Sequence, residues 1–195
     1  MNRLHRRLCR SGLWRRTINE RFLPWVLQDT DLAGSLLEIG PGPGVTTDLL
    51  RAKVERLTAI EIDSASALGL STRLRRTNVM VVAGDAAKMP FASKSFSSAV
   101  CFAMLHHIPS VELQNVLLQE VRRVLKPRGT FAGMDGGPGL GMRLLHLGDT
   151  CVPVDPGSFA LRLEAAGFQT ISVDADRFAF RFRAVAAQPL HSRET

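Results

Sequence analysis

From residue 35 onward the apolar positions of this chain switch between two periods. Short apolar runs rich in β-branched residues, "SLLEI" (35–39), "LTAIEI" (57–62), "NVMVVA" (78–83), "SSAVCF" (97–102) and "TFAGMD" (130–135), predict strands. Between them "VTTDLLRAKV", "SASALGLSTRLRR" and "SVELQNVLLQEVRRVLK" have the longer period of helices, the last with Val111, Asn115, Leu118, Val121 and Leu125 near one face. Strand, helix and strand repeated in this way imply right-handed crossovers and a parallel sheet with helices on both faces.

The rhythm changes after the fifth strand. "GGPGLGMRLLHLGDTCVPVDPG" (136–157) is rich in Gly and Pro and reads as irregular, with a helical turn around Met142–Leu147. "SFALRLEAAG" reads as a helix closed by Gly167. The runs "FQTISVDA" and "RFAFRFRAVA" then follow with little more than Asp176 between them, and so short a connection demands an antiparallel hairpin. Upstream of the repeat, Trp14, Ile18, Phe22 and Trp25 fall at helical spacing, and Pro24 suits the first turn of a second short helix. The expected organisation is a basic helical segment (1–30) packing on or covering one domain (31–188), and a frayed tail (189–195).

Charge changes this picture only at the N-terminus. Residues 1–21 hold seven arginines against the single acid Glu20, which accounts for nearly all of the net charge of +7. A packed helix with a solvated arginine face, an organelle transit peptide and an arm for an acidic surface are the alternatives, and the helical spacing favours the first. The composition, 45% hydrophobic and 22% charged, is that of an ordinary globular protein. No run approaches the ~20 apolar residues that span a bilayer. Cys9, Cys101 and Cys151 are odd in number and far apart, so neither a disulfide framework nor a metal site is expected, and a reducing cytoplasm is the simpler setting.

The most unusual stretch is "LLEIGPGPG" (36–44), a strand that ends in alternating Gly and Pro. Such a loop sits at the carboxyl edge of a parallel sheet, where ligands bind, and Gly40, Gly42 and Gly44 allow close backbone approach while Pro41 and Pro43 stiffen the turn. The dinucleotide fingerprint would place its third Gly at position 45, which is Val, and no Lys-Ser/Thr pair follows for a phosphate loop. Glu38 would repel a phosphate, so a ligand carrying a cation suits the loop better.

With Glu61 at the end of the second strand, "GDA" (84–86) after the third, "MPFASKSFSSAV" leading into "LHHI", and "VRRVLKPRG" before the fifth, the chain resembles the class I S-adenosylmethionine-dependent methyltransferases from residue 35 to about 186. The resemblance implies an α/β, Rossmann-like seven-stranded sheet, mostly parallel with an antiparallel last strand, plus the N-terminal helical segment. It implies S-adenosylmethionine as cofactor. It also makes Glu38, Gly40, Pro41, Gly42 and Gly44 holders of the methionine end and Glu61 the acceptor of both ribose hydroxyls. Asp85 would take the adenine amino group, Ala86 would touch the ring, and Ile62 and Met89 would sandwich it, with Cys101 beside the cofactor. Asp63 competes with Glu61, and the family's pattern favours Glu61. Two positions depart from that pattern: Ser97 stands where Asp is frequent, and Arg128 where Gly is frequent.

The methyl acceptor is a separate question. "LEIGPGPG" with "AIEID" looks like the ribosomal RNA adenine dimethylases, yet those enzymes carry Asn or Asp followed by Pro-Pro-Tyr or Leu-Pro-Tyr after the fourth strand, whereas this chain has "CFAMLHHIP" there and no Tyr at all. "LHHI" at that place resembles small-molecule and lipid-type methyltransferases. A small organic acceptor is therefore expected. Nucleic acid held by the arginine helix, with the protein as an RNA-directed methyltransferase or a cofactor-binding regulator, is one alternative; peripheral contact with an anionic membrane is another. No catalytic residue stands out: His106, His107 and His146 are candidate bases, each with local hydrogen bonding as the plainer explanation.

Overall fold

In a computed structural model, residues 7–9, 11–32, 34–137 and 139–188 are described. The N-terminal helix α1 (Gly12–Thr17) passes through a π-helical turn (Ile18–Phe22) into α2 (Leu23–Leu27), which has Pro24 in its first turn. Then come β1 (Ser35–Ile39), α3 (Val45–Leu50), β2 (Arg56–Glu61), α4 (Ser64–Arg73), β3 (Val79–Ala83), β4 (Phe96–Phe102) and a 3₁₀ turn (Leu105–His107). The chain continues through α5 (Val111–Val124), β5 (Leu125–Gly136), α6 (Leu140–Leu145), α7 (Pro156–Ala165), β6 (Phe168–Ala175) and β7 (Ala179–Ala186). The frayed-tail expectation for 189–195 lies outside the described residues.

The seven strands form one sheet in the order β3-β2-β1-β4-β5-β7-β6, in which only β7 runs against the others. Strand order reverses between β1 and β4, and in an open α/β sheet the crevice outside the carboxyl ends of such strands is where ligands bind. The sheet is covered on both faces. Leu37 and Ile39 of β1 point with Ala99, Cys101 and Phe131 into a core roofed by Leu117, Leu118, Val121 and Val124 of α5 and by Phe159 and Leu163 of α7. Leu36 points the other way, with Leu57, Val100 and Ala132, against Ile18, Phe22, Leu23 and Val26 of the N-terminal segment. This two-sided burial is why the parallel strands read as nearly continuous apolar runs.

Local chemistry sets the ends of the helices. Ser110 accepts from Leu113 N–H at 3.2 Å to begin α5, Asp155 accepts from Gly157 and Ser158 N–H to begin α7 ahead of Pro156, and Gly167 (φ 91°) closes α7. The buried face of α5 differs from the expected one. Gln114, Leu117, Leu118, Val121 and Val124 are buried, while Val111 is 43% exposed. Gln114 earns its buried place by hydrogen bonding: its amide donates to Leu105 O (3.1 Å) and Val152 O (2.9 Å) and accepts from Arg162 (2.9 Å). Arg128, where the resembled family often has Gly, sits at φ 65°, a left-handed conformation that favours Gly.

The N-terminal helices are held across the sheet by packing and by ions. Trp14 and Trp25 flank Phe22 at ring-centroid distances of 6.1 and 6.4 Å, Arg15 lies 3.6 Å from Asp48, and Arg21 bonds Asp176 at 2.8 Å. Exposed pairs of this kind contribute roughly 0–1 kcal/mol each, so the buried Ile18, Phe22, Leu23 and Val26 provide most of the attachment.

Candidate functional site

A cavity of about 850 Å³ opens at the carboxyl ends of β1, β2, β4 and β5. At one end it is walled by backbone and carboxylates. Gly40, Gly42 and Gly44 have φ of 65°, 52° and 80°, so each occupies the left-handed region that makes glycine the favoured residue. A Cβ at Gly40 would overlap Met104, whereas one at Gly42 would meet open space, so Gly42 lets its backbone border the cavity.

Glu61, at the end of β2, ties this loop to the next strand. Its Oε2 accepts Gly42 N–H at 2.9 Å and its Oε1 accepts Asp63 N–H at 3.0 Å. Each oxygen can accept a further bond, and the residue lines the cavity. Asp63, the competitor for the ribose, also borders the cavity, but its Oδ1 caps α4 by accepting Ser66 N–H at 2.7 Å. Asp85 is exposed on the rim with its Oδ1 turned onto Ala87 N–H (2.8 Å), and Ala86 and the 71%-exposed Ile62 line the same end.

The structure does not bring every expected residue to this wall. Glu38, Pro41, Gly44, Met89 and Cys101 are buried outside the lining. Glu38 lies beneath the loop on the face of β1 turned to the N-terminal helices, where its Oε1 accepts the Thr46 hydroxyl and its Oε2 has no partner among the described residues. Burial raises its carboxyl from the ordinary 4.5 to about 7, against the lowering effect of Thr46 and Thr47. Met89 is packed in the core and does not line the cavity. Cys101 is a core thiol, pushed well above its ordinary value by burial and then by Asp135.

The other end is built around histidine. The 3₁₀ turn after β4 carries His106 and His107 into the cavity, and the segment after α6 returns His146 to them. His106 Nδ1 is hydrogen-bonded to Asp135 Oδ1, His106 Nε2 lies 3.0 Å from His146 Nε2, and His146 Nδ1 lies 2.7 Å from Met142 O. Asp135, at the end of β5, is fully buried; it also accepts Gly136 N–H (2.6 Å) and His106 N–H (3.2 Å). No metal site was expected from the residue spacing, yet His106, His107 and His146 bring a ring nitrogen each to within 4.8 Å of one another. Contacts over 40 residues of sequence are invisible to local spacing.

Between the two ends the lining is apolar: Phe102, Met104, Ile108 and Met134 from the sheet side, Phe178 from the closing hairpin, and Leu8, Trp14 and Phe22 from the N-terminal segment. Asp135 was not among the expected site residues, and it holds His106 at the histidine end. Asp135 had a signal, an acid at the carboxyl end of a central parallel strand. The lining role of Trp14 and Phe22 had none beyond their shared helical face.

Residues 37–133, about half of the chain, match the family model described as a methyltransferase domain. A probable ribosomal RNA small subunit methyltransferase A of Methanothermobacter thermautotrophicus is 32% identical over 140 residues, covering 66% of this chain and 50% of that protein. A probable phthiotriol/phenolphthiotriol dimycocerosates methyltransferase 2 of Mycobacterium ulcerans is 28% identical over 167 residues, covering 84% and 55%. The matches to curated relatives span only 22–55% of those proteins' lengths. Among solved structures, an S-adenosylmethionine-dependent methyltransferase from Aquifex aeolicus superimposes with a TM-score of 0.68 at 21% identity, over 88% of this chain and 93% of that one, which shows a shared fold. With a glycine loop, a β2 carboxylate and a reversed β7 in one sheet, the chain belongs to the class I S-adenosylmethionine-dependent methyltransferases.

Proposed function

We propose that this chain transfers a methyl group from S-adenosylmethionine to a small, largely apolar organic acceptor held in the cavity. The observation that carries this reading is the cavity itself: at about 850 Å³ it lies within the range of ligand pockets, and its apolar middle connects an acidic end with a histidine end. The residues fit the cofactor. Gly42 offers backbone with space before it, Glu61 has acceptor capacity on both oxygens for a diol, and Asp85 and Ala86 sit where an adenine edge and face would be met. Gly40 and Ile62 complete that wall, with Glu38, Pro41, Gly44 and Cys101 supporting it from behind. Buried Glu38, whose Oε2 has no partner among the described residues, lies under the methionine end, where a bound cation would favour its ionised form.

The cofactor supplies a methyl group on a sulfonium, a strong electrophile. The chain's own task is alignment and exclusion of water, which the N-terminal helices perform by closing Trp14 and Phe22 over the cavity. Where the acceptor atom carries a proton, the histidine end of the cavity, with His106 oriented by Asp135, is placed to favour its ionised form. The N-terminal helices, with Leu8, Trp14 and Phe22 in the lining, then serve as a cover.

A ribosomal RNA acceptor is the second reading, favoured by the names of several relatives. Against it, Arg15 and Arg21 are engaged with Asp48 and Asp176 of this same chain. Tritium-labelled S-adenosylmethionine, incubated with the full chain and a cell extract, separates the two. Label extracted into organic solvent supports the small apolar acceptor; label in the RNA fraction, reduced steeply by salt, overturns it. Absence of cofactor binding by calorimetry would overturn both.

A further inference from the structure

The histidine end of the cavity has an electrostatic problem that its hydrogen bonds define. Asp135 accepts backbone N–H groups at both of its oxygens, from Gly136 at Oδ1 and from His106 at Oδ2, so the short contact from His106 Nδ1 is read as a donated N–H. A neutral His106 then has its lone pair on Nε2. His146 Nδ1 faces the carbonyl oxygen of Met142, which can only accept, so His146 also donates from Nδ1 and has its lone pair on Nε2. These two Nε2 atoms face each other at 3.0 Å. Two lone pairs at that distance repel unless a cation lies between or beside them. It can be a proton shared by the two rings, or a metal ion bound by both.

We propose that His106, His107 and His146 form a binding site for a divalent transition metal ion of the zinc class, with its remaining coordination position open to the cavity. The geometry accommodates a metal ion in three respects, of which the second separates it from a shared proton. Two imidazole nitrogens bound at about 2.0–2.1 Å in a tetrahedral site lie roughly 3.3 Å apart, a few tenths of an ångström beyond the 3.0 Å seen here, a separation that a shared proton also fits. A third imidazole, His107, offers a nitrogen within 4.8 Å of the other two, which a shared proton does not require. Asp135 stands behind His106 as the carboxylate that orients a metal-bound imidazole and raises its basicity. Three neutral nitrogens and no thiolate suit zinc, cobalt or nickel rather than magnesium or calcium.

Three protein ligands and an open position characterise metal sites that act on a bound molecule. Resting on the methyltransferase reading, this arrangement narrows the acceptor to an apolar molecule that presents an ionisable oxygen or sulfur, such as a phenol or a thiol, to the ion. The ion would stabilise the ionised form of that atom.

The test is a titration of the full chain, stripped of metal with a chelator, with Co²⁺. Expected are one equivalent bound with the visible absorption of a tetrahedral site, loss of that absorption on adding one equivalent of Zn²⁺, and a rise in melting temperature with Zn²⁺. Asp135→Asn is the most informative variant. Its amide would donate to His106 Nδ1 and move the ring's proton to Nε2, so Co²⁺ affinity should fall about 10–100-fold with little change of shape. His107→Gln with His146→Gln should abolish the absorption. A chain that binds S-adenosylmethionine by calorimetry but takes up no more Co²⁺ than this double variant overturns the metal site and leaves the methyltransferase reading standing. A chain that binds Co²⁺ and not S-adenosylmethionine does the reverse. Asp135→Asn binding Co²⁺ as tightly as the parent would overturn the role of the carboxylate and the tautomer assignment on which the site rests.

Discussion

The two ends of one cavity are built by opposite strategies. At the β1–β3 end the groups are close in sequence: the loop 40–44, Glu61 and residues 84–86 each follow a strand and are placed there by the strand itself. Much of that wall is main chain, which any sequence with the right glycines can present. At the β4–β5 end, His106 comes from the turn after β4, Asp135 from the end of β5 and His146 from the segment after α6, and they are held by side-chain contacts to one another. The first end is a local consequence of strand–loop–helix geometry, and the second exists only once the sheet has formed and residues 136–157 have folded back over it. Binding of a common cofactor suits the first arrangement. Discrimination among acceptors suits the second, since each of its parts can change without disturbing the loop.

The comparison breaks most sharply at Glu61. Glu61→Ala removes the acceptor of Gly42 N–H and the acidic wall of the first end together, and at about 1.5–3 kcal/mol per lost bond to a charged group the dissociation constant for S-adenosylmethionine should rise at least about 100-fold by calorimetry. Co²⁺ uptake at the histidines should not follow it. Equal loss of both would show that the ends are one unit.

Glu38 sharpens the same contrast through pH. Its carboxyl is raised to about 7 in the folded chain, from 4.5. A raised carboxyl favours the folded state fully below about pH 4.5, and the advantage is lost as pH climbs to 7, because the unfolded chain releases the proton first. Denaturant unfolding of the cofactor-free protein should show this as a decline of up to about 3 kcal/mol across that window, on top of other groups' titrations. In Glu38→Gln the decline should shrink. An unchanged profile would place the charge of the first end elsewhere.

The smallest effect concerns a residue belonging to neither end. Arg128 holds a left-handed backbone at φ 65°, so Arg128→Gly should stabilise the chain by about 0.5–1 kcal/mol in the same unfolding experiment, with both ligand affinities unaltered. A shift in either affinity would show that strain in the β5 lead-in reaches the cavity.

What could be read from the residues follows from how far each determinant acts. The strands, the hairpin around Asp176, the Gly167 cap and the glycine loop depend on neighbours within a few positions, and "SLLEI" and "FQTISVDA" are strands over the very residues that their patterns indicate. The buried face of α5 was harder to read because Gln114, polar by composition, is buried by bonds to Leu105 and Val152 that no helical period encodes. Glu38 was recognisable as an acid just before the glycine loop, but whether it would face the cavity or lie under the loop depends on strand parity relative to the N-terminal helices.

By itself, then, the sequence determined the alternation of elements, the sheet's reversed strand, the loop's conformation and the identity of the carboxylates near it, since these arise from short-range sterics and hydrogen bonding. Tertiary structure alone decided that Trp14 and Phe22 cover the cavity, that Met89 and Cys101 belong to the core, and that three histidines and Asp135 converge. Such convergence requires distant segments to be packed at fixed separations, and burial of apolar surface on both faces of the sheet provides the energy for it. The β1–β3 end of the cavity is written locally along the chain, whereas its histidine end is a property of the folded whole.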